Sequence, residues 1–302
     1  MKRKNIVVPC TIMAIVLVVF GRTSMAEPEK GRLYVIGTGP AGPQTATLQA
    51  LESMARMDAI AASQEHVRLF SDYIGAKVYL FDPWKCIFEY RGKPLPELRG
   101  MELRDFIQER SRLIESRVGL IRGLLEKGKN VGLLDSGNPL LFAPGNWYLE
   151  KFAPQDVVII PGMGSDAAAM AALGKSVLPA NDARFILQSS PFYLMDHRTG
   201  GTGMIEDLSK YPATMILYIA LQMPDRLFKL LGAVYPPDMP CAVVFWAGYP
   251  DRERVLKGTI GDMGTKLKDE PEGDKDMGLL LIGRFLGGRP YEAAMASMGD
   301  RK

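Results

Sequence analysis

The chain has 302 residues, of which 47% are hydrophobic, so it is long enough to bury a sizeable core in two modest domains. Its 37 basic residues nearly balance its 34 acidic residues, and it contains only two histidines and three cysteines. This composition is typical of a globular protein. It leaves little material for a histidine-based metal site or a Ser-His-Asp triad, so we expect no metal.

The first 26 residues have the layout of a secretory signal peptide. Lys2-Arg3-Lys4 form a basic cluster, residues 6–20 are nearly all apolar, and Ser24 and Ala26 place small side chains at positions −3 and −1. We therefore expect cleavage after Ala26 and export, for example to a periplasm. An uncleaved anchor is one alternative, although an apolar run of about 15 residues is short for a membrane span. Translation from Met25 is another, and it would leave the protein in the cytoplasm.

Removal of this leader changes the charge and the cysteine content. The leader holds four of the 37 basic residues and no acid, which leaves 33 basic and 34 acidic residues and a net charge of −1. A chain with this charge gives no support to a nucleic-acid partner. Cleavage also removes Cys10. Because Cys86 and Cys241 lack metal-ligand spacing, we expect two buried free thiols.

A glycine- and proline-rich loop over 37–43 follows the first strand pattern, residues 33–36. Its three glycines match G-x-G-x-x-G, the dinucleotide fingerprint, which also needs a helix starting at the last glycine and an acid about 20 residues further on. Here Pro40 and Pro43 delay the helix, and the next strand pattern ends in Ser63-Gln64 instead of an acid. The segment therefore predicts a ligand loop at a strand end but disfavours a nicotinamide cofactor.

The rest of the chain alternates helix and strand patterns, which predicts an α/β fold. Helices are predicted over 45–57, 101–127, 165–173, 204–210 and 224–231, and strands over 58–62, 77–81, 130–134, 157–160, 184–187, 214–220, 240–247 and 278–283. The charged residues of the long helix, Arg117 among them, are expected mostly on a solvated face. We expect a charged loop over 266–276 and a loose tail over 287–302.

Three later strand ends also carry glycine turns. They are Ser136-Gly-Asn-Pro139, followed by Phe142, then Pro161-Gly-Met-Gly-Ser165, and finally the polar turn and strand over 248–259. With the loop over 37–43, these segments resemble, in the same order, the tetrapyrrole methylases, which use S-adenosylmethionine. The resemblance extends over about residues 32–286, and its motifs are specific for the family but not for one member.

This resemblance implies an α/β fold with two α/β domains, residues 32–162 and 163–286, and a cofactor cleft between them. It also implies a homodimer and a small-molecule substrate of the tetrapyrrole type. Carried over position by position, the residues expected to contact S-adenosylmethionine are Pro40, Ser136, Gly137, Asn138, Gly164, Ser165, Ile219 and Ala247. No catalytic residue is assigned.

The chain departs from the family pattern at two acids. Gly42 stands where the first loop usually has an aspartate, and Asn138 stands where the second loop has another. Asp135 and Asp251 are the nearest acids that could replace them. Arginines in loops are candidates to pair with tetrapyrrole carboxylates; these are Arg68, Arg198, Arg252 and Arg254.

Two functions follow. The first is a methyltransferase acting on a tetrapyrrole or corrin precursor. The alternative is an exported protein that has lost catalysis and keeps the cleft to bind a tetrapyrrole or other small molecule. Export and the two missing acids favour the alternative, because S-adenosylmethionine is made in the cytoplasm.

Overall fold

The computed structural model of the chain describes residues 29–195 and 201–299. The expected signal peptide, residues 1–26, lies outside these ranges, as do His197 and Arg198. Within the described ranges, no helix combines the length and the apolar character needed to cross a membrane.

A parallel sheet forms the centre of the first half. The strands are β1 (Leu33–Gly37), β2 (Ala59–Ala61), β3 (Val78–Tyr79), β4 (Glu89–Tyr90), β5 (Lys93–Pro94), β6 (Val131–Asp135) and β7 (Val157–Ile160). The order in the sheet is β3-β2-β6-β1-β7, with every pairing parallel, and β4 and β5 form a separate hairpin. Because β1 lies between β6 and β7, the carboxyl ends of these three strands meet at one edge, where open α/β sheets bind ligands.

Helices cover both faces of this sheet. They are α1 (Leu48–Arg56), α2 (Gln64–Leu69), α3 (Ser71–Ile74), α4 (Gly100–Leu125) and α5 (Asn146–Leu149). Val35 and Leu133 pack with Ile121 of α4 on one face, whereas Ile36 and Met54 pack together on the other. The apolar strands are therefore buried on both sides, as parallel strands usually are.

The second half contains a mixed sheet. Its elements are α6 (Ser165–Leu173), β8 (Phe185–Ser189), α7 (Pro191–Leu194), α8 (Gly201–Ser209), β9 (Ala213–Leu217), α9 (Pro224–Val234), β10 (Pro240–Phe245), β11 (Arg254–Thr259), α10 (Ile260–Lys266), α11 (Glu272–Lys275), β12 (Gly278–Ile282) and α12 (Pro290–Gly299). The sheet order is β11-β10-β12-β9-β8, in which only β8 and β9 are parallel. Helix α6 packs against one face, and α9 and α10 against the other. The expected α/β class with two sheets is confirmed; the domain bounds stay predictions.

Two local expectations differ from the structure. Helix α1 begins after Thr47, whose side chain accepts a hydrogen bond from the N–H of Ala50. The helix therefore begins at Leu48 instead of at the predicted residue 45, and Leu48 in its first turn is 72% exposed. Residues 290–299 form α12 instead of a loose tail, because the N–H of Asn181 bonds to the carbonyl of Pro290 at 2.8 Å and Ala294 is buried.

Candidate functional site

The backbones at the ends of β1, β6 and β7 come into close contact at glycines. A Cβ placed on Gly37 would lie 2.6 Å from the N of Gly162 and 2.8 Å from the O of Gly137. The N–H of Gly137 also donates to the carbonyl of Gly39 at 2.9 Å, which joins the loops after β1 and β6. A side chain at Gly37 would separate these segments, so the glycines permit the close approach.

The loop after β6 lies against the segment that leads into α6. Gly137 has a φ of 68°, and a Cβ on it would lie 3.8 Å from the N of Ser165 and 4.0 Å from the Cα of Gly164. Four of the predicted contact residues, Ser136 and Gly137 with Gly164 and Ser165, are thus brought together. These distances are ordinary van der Waals contacts, so the buried Gly137 lies directly against the segment that leads into α6.

The first loop is closed by a threonine. The hydroxyl of Thr45 accepts hydrogen bonds from the N–H groups of Ala41 at 3.1 Å and Gly42 at 3.2 Å, and it donates to the carbonyl of Gly42 at 3.0 Å. The loop also reaches the second sheet, because a Cβ on Gly248 would lie 3.4 Å from Cγ of Pro40. Thr45 was not predicted as a site residue, since its role depends on the folded loop.

The second sheet contributes strand ends with left-handed backbone. Ile219 follows β9 with a φ of 55°, and Trp246 follows β10 with a φ of 52°. Such conformations cost non-glycine residues about 1–3 kcal/mol each and cluster at functional sites. Ala247 lies directly after Trp246 and is buried.

Apolar side chains join the two halves. Phe142 of the loop after β6 and Met163 before α6 pack against the same cluster as Ile219 and Ala247. Together with the contacts of Pro40 and Gly137, this packing brings the predicted residues to one connected set of loops. We call it the intersheet junction, defined by residues 38–45, 136–142, 161–165, 218–219 and 246–249.

Comparisons with known proteins identify the family. The family described as Tetrapyrrole (Corrin/Porphyrin) Methylases matches residues 32–264. The chain belongs to this family. The resemblance deduced from the loop motifs is therefore confirmed.

Individual relatives are distant but extend over most of the chain. The cobalt-precorrin-4 C(11)-methyltransferase of Methanocaldococcus jannaschii is 24% identical over 268 residues, which cover 86% of this chain and 90% of that protein. The X-ray structure of a cobalt precorrin-4 methyltransferase matches with a TM-score of 0.63 and 21% identity, covering 85% of this chain and 96% of the other. A uroporphyrin-III C-methyltransferase from Thermus thermophilus, complexed with S-adenosylhomocysteine, matches with a TM-score of 0.53 and 18% identity, covering 85% and 99%. At these identities the structures show the shared fold.

One further observation supports a fit between the junction and the cofactor of the tetrapyrrole methylases. The hydroxyl of Tyr218 is buried and has no hydrogen-bond partner within the described ranges, and its ring lies 5.1 Å from that of Phe142. Burial, and then the carboxylate of Asp166, raise the pKa of Tyr218, so the phenol stays neutral. The unpaired buried hydroxyl beside Ile219 is a feature that a polar ligand would satisfy. The eight residues named in the sequence analysis stay the predicted contacts of S-adenosylmethionine.

The missing acid of the second loop leaves the loop geometry intact. Oδ1 of Asn138 accepts a hydrogen bond from the N–H of Leu140 at 3.0 Å. An aspartate oxygen would accept the same bond, so Asn138 preserves the turn and removes only the charge.

Asp135 does not replace the lost acid. Its side chain is fully buried, and Oδ2 accepts a hydrogen bond from the N–H of Gly145 at 2.7 Å. Burial raises the pKa of Asp135 to about 7, against the opposing effect of hydrogen bonds from backbone N–H groups. This residue anchors the loop before α5 and is out of reach of a substrate. Asp251 is exposed in the turn after β10.

The candidate arginines within the described ranges have acidic partners. Arg254 pairs with Asp274 at 3.1 Å and also with Glu270, and Arg252 lies 3.5 Å from Asp274. Arg68 pairs with Glu65 at 2.7 Å, so all three already have a neighbouring negative charge. Arg198 lies outside the described residues.

A buried histidine links the loops after β1 and β6. Nε2 of His66 lies 3.2 Å from Oγ1 of Thr38 and 3.2 Å from Oγ of Ser136, and Nδ1 lies 2.9 Å from Oγ of Ser63. Burial lowers the pKa of His66 to about 4, so the ring is neutral at physiological pH. The sequence indicated only that the chain has two histidines, and no role was assigned to His66.

Other reactive groups take no part in the junction. Among the described residues, no group of three or more His, Cys, Asp or Glu side chains could hold a metal ion. Cys241 is buried, as expected, whereas Cys86 is exposed, and both are free thiols. The expectation of two buried thiols is therefore wrong for Cys86, which lies in the irregular segment between β3 and β4.

Proposed function

We propose that this protein is an S-adenosylmethionine-dependent methyltransferase that acts on a tetrapyrrole, specifically a corrin precursor. The observation that carries the proposal is the intersheet junction, where glycine-rich strand ends of one sheet meet Ile219 and Ala247 of the other. The match to the cobalt-precorrin-4 C(11)-methyltransferase of Methanocaldococcus jannaschii, over 86% of this chain and 90% of that protein, supports the substrate class.

The chain's own residues supply positioning. S-adenosylmethionine, when bound, supplies an electrophilic methyl group. Alignment of the reacting groups can contribute about 7–11 kcal/mol, so an electron-rich acceptor carbon needs little acid-base assistance. The loops at Gly137 and Pro40 bind and orient, and the apolar contacts of Phe142 and Met163 exclude water. Loss of the acid at Gly42 is compatible with this chemistry.

Export and homodimer formation are part of the same proposal. Export rests on the leader pattern over 1–26, and the homodimer rests on the family resemblance. The N-terminal residue of the protein from its native cell distinguishes cleavage after Ala26 from translation at Met25. Light scattering after size-exclusion chromatography measures the assembly, and the mass of a single chain would contradict the dimer.

Calorimetry with S-adenosylmethionine and S-adenosylhomocysteine tests the cofactor site. We expect micromolar binding that Gly137→Trp abolishes, because a Cβ there already contacts the segment at Ser165 and an indole would push the two loops apart. Gly75→Trp is the matched control: Gly75 has a φ of 59°, but a Cβ there meets nothing within 4 Å, so binding should persist. Absence of binding at millimolar concentration refutes the methyltransferase, and tetrapyrroles are then screened as ligands of an exported binding protein.

A further inference from the structure

Three hydroxyl groups surround the imidazole of His66 at the carboxyl edge of the first sheet. Ser63 follows β2, Thr38 follows β1 and Ser136 follows β6, so the ring joins three strand ends that are distant in sequence. His66 is 4% exposed, whereas Ser136 is exposed. The network thus runs from a buried ring to a side chain that a ligand can reach.

The hydrogen-bond partners determine which ring nitrogen carries the proton. Oγ of Ser63 already accepts from the N–H of His66 at 3.2 Å, and within the described ranges the only acceptor for its own proton is Nδ1, at 2.9 Å. Donation from Ser63 to Nδ1 is the arrangement that uses this proton within the described residues. A neutral ring that accepts at Nδ1 carries its proton on Nε2.

The same conclusion follows from the other side of the ring. The hydroxyl of Thr38 lies 3.1 Å from the carbonyl of Gly39 and 3.1 Å from that of Asp135, and a carbonyl can only accept. When Thr38 gives its proton to one of these carbonyls, its oxygen accepts from Nε2 of His66. The Nε2–H is shared between the oxygens of Thr38 and Ser136.

We propose that His66 is a positioning residue for cofactor binding: its Nε2–H donates to Oγ of Ser136 and leaves the Ser136 proton to be donated to an acceptor atom of the bound cofactor. This inference rests on the proposed function. Within the described part of the chain, His66 is the only hydrogen-bond partner of the Ser136 side chain. A hydroxyl that accepts one hydrogen bond is a stronger donor in the next, so the ring both orients and polarises Ser136.

The ring state is measurable without any cofactor. The sequence has only two histidines, so a ¹⁵N-histidine sample gives ring signals from His66 and His197 alone, and His66→Gln assigns them. We expect Nδ1 of His66 unprotonated and Nε2 protonated. A proton on Nδ1 overturns the proposal whatever the protein binds.

A double-mutant cycle measures the coupling to the ligand. Calorimetry gives the affinity for S-adenosylhomocysteine in the unmodified protein, His66→Leu, Ser136→Ala and the double variant. We expect each single variant to weaken binding by about two- to tenfold, the range for one hydrogen bond. In the Ser136→Ala background, His66→Leu should weaken binding less than twofold further, because the bond through which it acts is gone.

A conservative variant separates positioning from simple packing. His66→Gln keeps an N–H donor near the position of Nε2 and should bind within about threefold of the unmodified protein. His66→Phe, which fills the space without a hydrogen-bond donor, replaces His66→Leu in the cycle if that variant does not fold. If the unmodified protein binds but the fold-loss of affinity in the double variant equals the product of the two single fold-losses, only the role of His66 is overturned. Failure of the unmodified protein to bind overturns the proposed function and this role together.

Discussion

Asp135 makes the stability of the protein depend on pH in a direction opposite to that of most carboxylates. Its side chain is fully buried, Oδ2 accepts from the N–H of Gly145, and Oδ1 has no partner in the described ranges. Burial raises the pKa of Asp135 from 3.8 to about 7. The folded state then holds the proton more tightly than the unfolded state. The loss in the free energy of unfolding that Asp135 causes is therefore absent below pH 3.8 and grows as the pH rises to 7. The full difference is about 4 kcal/mol.

Asp135→Asn removes this titration. The free energy of unfolding of the variant, minus that of the unmodified protein, should rise by about 2.5 kcal/mol between pH 5 and pH 8. Urea denaturation followed by circular dichroism at several pH values gives both curves. Other titrating groups, His66 included, are present in both proteins and cancel in the difference. A difference that stays constant with pH refutes the assignment of a buried, protonated Asp135.

Two further substitutions test packing at the strand ends and beneath α4. Gly162→Ala directs a Cβ at the carbonyl oxygen of Gly137, and because that obstacle is backbone we expect a loss on the order of 3 kcal/mol in urea denaturation together with weaker cofactor binding. Gly119→Ala is its control, since a Cβ there meets nothing within 4 Å and should stabilise α4 by about 0.5–1 kcal/mol. Tyr148→Phe deprives the buried guanidinium of Arg117 of an acceptor 3.0 Å away and should cost about 1–3 kcal/mol, measured in the same way; an unchanged midpoint contradicts it.

Backbone requirements at the junction were readable from the sequence, whereas side-chain partners were not. Glycine is nearly the only residue that allows the backbones of strand ends to come into contact. Residue type and position after an apolar run were therefore enough to predict Gly37 and Gly137 as loop residues of the site. The contact between His66 and Ser136 joins positions 70 residues apart. No local pattern records such a bond, because it depends on the strand order of the sheet.

The long helix α4 shows a second limit of local patterns. Phe106 and Ile121 of its apolar side are buried, and so is Arg117, which was expected on a solvated face. In the structure Arg117 is buried, because its guanidinium lies 4.9 Å from the ring centre of Phe81 and donates to the hydroxyl of Tyr148. Periodicity shows which residues face the sheet, and it carries no information about loops that later cover the helix.

The two positions that lack the family's aspartate differ in whether the backbone could accept an aspartate. Asn138 retains the oxygen that caps its turn, so an aspartate could return there without a change of backbone. Gly42 has a φ of 153°, a conformation that other residues rarely adopt, and the hydroxyl of Thr45 binds its N–H and carbonyl groups. An aspartate at position 42 would therefore require a different loop. The proposed cofactor site thus offers backbone groups and hydroxyls at positions where the family pattern has a charge.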